Sequence, residues 1–177
     1  EEVRDQALKL RMVQIGPTFA RFRRIVRDAA SEMSKPIRLE ISGGDTELDK
    51  TLVERIADPL THLVRNSIDH GIEPPELRLA RNKDPEGLVR LSACHESGSV
   101  VVEVADDGGG LNRERIIAKA IERGLIQDAA GMSDAQVHAL IFEPGFSTAE
   151  RVSRLSGRGV GMDVVKRNVN ELRGSIE

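Results

Sequence analysis

The chain has 177 residues, 39% of them hydrophobic and 31% charged, a composition that suits a folded domain with a real core and excludes a disordered tail. Trp and Tyr are absent and aromatic residues make up 2%, so Val, Ile and Leu must fill the single core expected at this length. A net charge of −3 argues against a nonspecific nucleic-acid binder, which needs an excess of Lys and Arg to displace counterions; any anionic ligand has to be met locally.

Residues 1–15 read as a charged helix that opens without a cap, and Pro17 starts a second helix. Phe19, Phe22, Val26, Ala29, Ala30 and Met33 recur there at helical spacing. Ile37, Leu39 and Ile41 alternate with polar residues as a strand with one buried face, closed by Gly43 and Gly44. Asp49 or Thr51 can cap a helix beginning near Leu52, in which Pro59 implies a kink or a fresh start and which Gly71, Pro74 and Pro75 end. Residues 74–87 are polar and without a pattern. Val89, Leu91 and Ala93, a turn at Ser97 and Gly98, and Val100 to Val104 make a hairpin that runs into Asp106, Asp107 and three glycines. Ile116, Ile117, Ala120, Ile121 and Leu125 mark a helix stopped by Gly124, and Ser133 with Gln136 is spaced as a capping box for a helix over about 133–142. Residues 144–161 form a long loop, and a last helix carries Met162, Val165, Val169 and Leu172 on one face, with Gly174 as its stop.

Cys94, the only cysteine, excludes an internal disulfide and fits a reducing compartment. There is no run of about 18 apolar residues and no signal-peptide pattern, so the expected location is the cytoplasm, without membrane insertion.

The helix ending at Gly71 has two faces. Leu60, Leu63, Val64 and Ser67 fall on one side, and His62, Asn66, Asp69 and His70 fall on the other at i, i+4, i+7 and i+8. A solvated helix face is normally Lys, Glu, Arg and Gln; Asn, Asp and His are indifferent helix formers and need another reason to be there. The row is therefore a candidate ligating face.

Two glycine clusters follow. After Asp106 and Asp107, glycines let a backbone approach a flat ligand without an intervening Cβ, although Asp-Gly is also a common turn dipeptide. Residues 156–161, SGRGVG, immediately precede a helix, where backbone N–H groups and the positive helix end suit phosphate oxygens. Phosphate-loop, dinucleotide-binding and eukaryotic-type kinase signatures are absent, the HESGS stretch at 95–99 lacks the second His of a zincin, and one Cys with four scattered His makes no closed zinc site.

Taken in order, HLVRNSIDHGIEPPE, DDGGGL, FEPGFST and SGRGVGMDVVKRNV resemble the N box, first glycine box, lid and second glycine box of the ATP-binding domain shared by gyrase, the heat-shock chaperone, MutL and histidine kinases. They are most similar to the catalytic domain of the CheA family of chemotaxis histidine kinases, over roughly residues 13–177, with residues 1–12 as the end of that family's dimerisation helix. The resemblance implies an α+β fold, a two-layer α/β sandwich with a mixed sheet and helices on one face (the Bergerat-type ATP-binding fold), and an enzyme that transfers the ATP γ-phosphate to a histidine on a separate phosphotransfer domain. It also implies Mg²⁺, a dimer formed through the preceding helical domain, and a chemoreceptor and coupling protein reached through further domains. The family continues after Gly174 to Glu177 with two more strands.

Roles are implied residue by residue. Asp106 accepts from the adenine amino group, as an acceptor-only carboxylate can. Asn66 offers its oxygen to Mg²⁺, and His62 either accepts a proton or contacts the γ-phosphate. Arg65, Asp69, His70, Arg115 and Lys119 approach the nucleotide, Gly108 and Gly110 shape the first glycine box, and Phe142, Phe146, Ser147 and Thr148 lie in the lid. Ser156, Gly157, Arg158, Gly159, Val160, Gly161 and Met162 form the second box. None of His62, His70, His95 and His138 has the context of a phosphoacceptor, so the chain is expected not to phosphorylate itself. A conformational ATPase of the gyrase or MutL type, and a non-catalytic nucleotide-sensing module, are the competing readings.

Overall fold

The structure is a computed structural model that describes residue 6, residues 11–147 and residues 161–177. The chain divides into two compact units, Glu1–Gly110 and Leu111–Glu177. The first contains β1 (Met12–Gln14), α1 (Gly16–Met33), β2 (Ile37–Ser42), β3 (Glu47–Asp49), α2 (Lys50–Asn66), a π-helical turn (Ser67–Gly71), α3 (Pro75–Ala80), β4 (Gly87–Glu96) and β5 (Ser99–Asp106). The second contains α4 (Arg113–Glu122), α5 (Asp134–Ala139) with a 3₁₀ turn (Leu140–Phe142), and α6 (Met162–Glu171).

Within the first unit the main sheet has the order β2-β4-β5, with β2 parallel to β4 and β4 antiparallel to β5. Period-2 alternation sorts its residues. Ile37, Leu39 and Ile41, Val89, Leu91 and Ala93, and Val100, Val102 and Val104 share one face, where Phe19, Phe22 and Val26 of α1 and Val53, Leu60 and Val64 of α2 complete the core. The other face is polar and exposed, and Arg90 Nε there lies 3.2 Å from Glu40 Oε2. This mixed sheet with helices on one side is the expected two-layer α+β arrangement.

Register places the end of β5. Val89 pairs with Asp106, so Asp106 falls on the helix-bearing face one step beyond the last core valine. The hairpin turn at Ser97 and Gly98, both at positive φ, sets that register.

Several expectations are corrected. Residues 12–14 are not the end of a helix but a strand pairing with 47–49, because Val13 and Leu48 meet over the core. Asp49, not Thr51, caps α2, its Oδ1 accepting from the Thr51 amide at 2.8 Å. That helix runs unbroken through Pro59, which is buried beside Leu60, so packing outweighs the missing donor. The patternless stretch after Gly71 holds α3, started by Pro75 at its first position.

The single core is two among the described residues. In the second unit Ile116, Ala120, Val137, Leu140 and Phe146 form their own cluster. The expected capping box is present, with the Gln136 amide donating to Ser133 Oγ at 3.2 Å and the Ser133 amide to Gln136 Oε1 at 2.8 Å. α6 ends as expected near Gly174, but the left-handed residue is Arg173, at φ 61°.

Candidate functional site

α2 does not end as an ordinary helix. After Asn66 the chain widens into a π turn in which the Ile72 amide reaches back five residues to Ser67 O at 2.8 Å. Such a turn leaves carbonyls without helical partners. Lys35 takes two of them, its Nζ donating to Ile68 O at 2.7 Å and Asp69 O at 3.2 Å. Ile68 is buried beneath the turn, while Asp69 Oδ1 is buried with no hydrogen-bond partner among the described residues. An orphaned carboxylate oxygen costs stability unless something else satisfies it, so it points to a ligand or a bound water.

The first glycine box meets this turn directly. Asp106 Oδ1 accepts from the Gly108 amide at 3.0 Å, and the Gly109 amide donates to Gly71 O at 3.0 Å. A Cβ on Gly71 would sit 2.8 Å from Asp106 Oδ2, and one on Gly108 would collide with the Gly71 carbonyl. Two glycines thus let the polar end of α2 and the end of β5 come together, with the Asp106 carboxylate exposed at the junction.

A buried charge cluster, which the sequence pattern does not announce, holds the loop from behind. Arg78 is 1% exposed. Its Nη2 donates to Asp107 Oδ2 at 2.9 Å, its Nη1 to Glu73 Oε1 at 3.1 Å and Asp107 O at 3.3 Å, and its Nε to Asp84 O at 2.6 Å. Lys83 Nζ lies 3.0 Å from Glu73 Oε2 and donates to Asp107 O at 2.7 Å and Gly108 O at 3.0 Å. Asp107 Oδ1 accepts from the Leu88 amide at 2.9 Å. Burial works to raise the Glu73 carboxyl, but hydrogen bonds and the Lys83 and Arg78 cations outweigh it and hold the group at about 2. The signal available in the sequence is an acid that follows a buried-type Ile and precedes two prolines, with Arg five positions on.

The remaining candidates are placed as follows. His62 is half-buried on α2, and desolvation lowers its imidazole below the usual value against the opposing pull of the Asp69 charge. His70 is exposed, and Arg65 lies 3.4 Å from Glu32 of α1. Gly110 adopts φ 73°. In the second unit Arg115 is exposed, Lys119 Nζ sits 4.9 Å over the Phe146 ring, and Lys166 Nζ lies 5.9 Å from the Phe142 ring. Phe146, expected in the lid, is a core residue of that unit, and Ser147 beside it is exposed. Gly161 is the N-cap of α6 and Met162 its first residue. Thr148, Ser156, Gly157, Arg158, Gly159 and Val160 lie outside the described residues.

Among the described residues no three His, Cys, Asp or Glu side chains gather to hold a metal by themselves, and no helix is long and apolar enough to cross a membrane. What the first unit offers is an exposed carboxylate at a glycine-lined junction with the π turn, and, on the helix that runs into that turn, an amide and an imidazole one helical turn apart.

Residues 54–177 match the family of histidine kinase-, DNA gyrase B- and HSP90-like ATPases. The chain is 54% identical over 177 residues to the chemotaxis protein CheA of Klebsiella aerogenes, covering 99% of this chain and 27% of that protein. It is 51% identical over 175 residues to the chemotaxis protein CheA of Rhizobium meliloti, covering 99% of this chain and 23% of that protein. To the sensor histidine kinase CheAY of Helicobacter pylori it is 54% identical over 172 residues, 96% of this chain and 21% of that one. The chain thus spans about a quarter of the length of the curated relatives it matches. A histidine kinase domain of a blue-light activated kinase from Erythrobacter litoralis aligns with a TM-score of 0.40 at 19% identity, over 58% of this chain and 45% of that one.

Proposed function

Because the chain belongs to the histidine kinase-, DNA gyrase B- and HSP90-like ATPase family, we propose that it is the ATP-binding catalytic part of a chemotaxis histidine kinase. In this reading it moves the γ-phosphate of ATP to a histidine on a separate phosphotransfer domain. The observation that carries the reading is the Asp106 carboxylate, fixed by the Gly108 amide at the junction with the polar end of α2.

An ionised carboxylate accepts and cannot donate, so at the adenine edge it selects an exocyclic amine over a carbonyl. With the base seated on Asp106, the triphosphate is met by the polar row of the N box. Asn66 supplies one oxygen to Mg²⁺, and one protein oxygen suits an ion that keeps most of its ligands as water and phosphate. The orphaned Oδ1 of Asp69 fits the same environment, where it would accept a hydrogen bond from a water or ligand N–H or O–H group. Mg²⁺, when bound, neutralises charge on the phosphate oxygens. Phosphoryl transfer asks little covalent help of the protein, so the chain contributes position and charge. His62, held toward its neutral form by desolvation, is suited to accept a proton or a hydrogen bond near the γ-phosphate. His70, Arg65, Arg115 and Lys119 supply positive or hydrogen-bonding groups, Phe142, Ser147 and Thr148 belong to the lid, and Gly157, Gly159 and Gly161 offer backbone donors.

The same reading assigns the remaining partners. A dimer would form through a preceding helical domain, whose expected end at residues 1–12 lies largely outside the described residues, and a chemoreceptor and coupling protein would be engaged through other domains, in the cytoplasm. Mixing the chain with an isolated phosphoacceptor domain and Mg-ATP tests it. Phosphohistidine on the acceptor is expected; free phosphate without phosphohistidine would favour a conformational ATPase, and neither product would favour a sensing module.

A further inference from the structure

Behind the exposed Asp106 the loop backbone is gripped by a cluster built on the buried side chains of Arg78 and Glu73. A guanidinium has five N–H donors and no acceptor, and burying it is costly unless each donor is satisfied. Arg78 meets that condition with acceptors from three stretches of chain: Glu73 before α3, Asp84 and Glu86 after it, and Asp107 in the loop. The contact to Glu86 O is the longest at 3.5 Å. Asp107 is held at both ends of its carboxylate, by Arg78 at 2.9 Å and by the Leu88 amide at 2.9 Å, and its own amide donates to Leu88 O at 3.1 Å. Lys83 clamps the next two carbonyls, those of Asp107 and Gly108. Asp106 is therefore attached on one side to a β-ladder and on the other to a peptide that Arg78 and Lys83 fix.

We propose that Arg78 is a positioning residue for the nucleotide: acting through Asp107, and assisted by Lys83, it presets the loop that aims the Asp106 carboxylate, so that the adenine subsite exists before ligand arrives. This rests on the reading of Asp106 as the adenine acceptor. A preset loop loses no further conformational freedom on binding, so disrupting it appears as weaker affinity for the base-bearing ligand. It does not weaken affinity for a ligand that uses only the phosphate-binding groups.

The test compares the 177-residue chain with its Arg78→Met, Arg78→Lys and Asp107→Asn variants. Mg-ATP and Mg-tripolyphosphate are titrated calorimetrically, and backbone amide exchange is followed by NMR without ligand. Arg78→Met and Asp107→Asn are expected to weaken Mg-ATP at least tenfold and leave tripolyphosphate unchanged. They should speed exchange at Gly108 and Gly109 at least tenfold, with Glu103 in mid-β5, whose amide faces β4, unaffected. Arg78→Lys, which keeps the charge but has three donors, should fall between. Equal loss of both ligands, or exchange rising equally at Glu103, would mean Arg78 only stabilises the fold and would overturn the proposal. Undiminished ATP affinity in a folded variant would overturn it too. If Arg78→Met does not fold, Asp107→Asn decides alone. A wild-type chain that binds no ATP would defeat the nucleotide reading instead, and the exchange at Gly108 would still report whether Arg78 sets the loop.

Discussion

Gly71 and Gly108 touch backbone to backbone: a Cβ on Gly108 would overlap the carbonyl of Gly71, whereas a Cβ on Gly71 would meet the Asp106 carboxylate at 2.8 Å. The two sites differ in what has to yield, a peptide group in one case and a side-chain end in the other. Gly108→Ala should cost roughly 2–3 kcal/mol of stability, in the range of overpacking penalties, and Gly71→Ala clearly less. Urea denaturation of the two variants checks the order. Gly71→Ala should nevertheless disturb ligand binding, because the carboxylate it displaces is Asp106.

The Glu73 carboxyl is held at about 2 against an ordinary value of 4.5, so folding binds it in its charged form. A depressed carboxylate contributes stability that is fully present above the unfolded value and lost as pH falls toward the folded one. Between about pH 4.5 and pH 2 the first unit should lose up to about 3 kcal/mol from this group, less whatever solvent screening removes, since a tenfold change in acidity is worth about 1.4 kcal/mol. Glu73→Gln should flatten the acid limb of a stability-against-pH curve measured by urea denaturation. An unchanged slope in that window would remove Glu73 from the account.

His62 is lowered by desolvation, and the Asp69 charge opposes that. Its imidazole should titrate below the usual 6.5 and be neutral at pH 7 in ligand-free protein. Asp69→Asn removes the opposing charge and should lower the value further. Carbon-13 NMR of the His62 ring, followed against pH in both proteins, gives the sign directly.

Phe146 is 7% exposed and packs with Ile116, Ala120, Val137 and Leu140. Phe146→Ala should therefore destabilise the second unit by about 3–5 kcal/mol, the usual cost of truncating a buried Phe. Phe146→Leu should recover most of it. A thermal melt followed by circular dichroism separates this from a role in ligand contact, which would leave stability unmoved.

Where one face of an element enters a core, the pattern is legible: α1 from Phe19, Phe22 and Val26, β2 from its alternation, and the hairpin from Ser97 and Gly98. The place of Asp106 at the end of β5 is legible from the strand pattern, but its role is not: Asp-Gly is a common turn dipeptide, and the adenine assignment comes from the family resemblance. Features set by distant backbone are hidden. Residues 12–14 pair as a strand only because residues 47–49 come alongside, and their local charge pattern reads as helix. The π turn leaves no periodicity of its own, since one extra residue in a helix shifts the faces without changing their composition. Arg78 falls in the polar stretch 74–87, where no pattern marks a buried position, and only the meeting of Glu73, Asp84 and Asp107 around it makes it the most buried cation of the first unit's described residues. Phe146 reads as part of a motif, and the core it helps to build joins Val137 and Leu140 to Ile116 and Ala120, which lie about 26–30 residues earlier in the chain.

Calorimetric titration of Mg-ATP into the wild-type chain and Asp106→Asn bears most directly on the adenine assignment. A hydrogen bond to a charged acceptor is worth about 1.5–3 kcal/mol, so the variant should bind roughly ten- to a hundredfold more weakly. Equal affinities for the two proteins would contradict the assignment, and with it the nucleotide reading of the site.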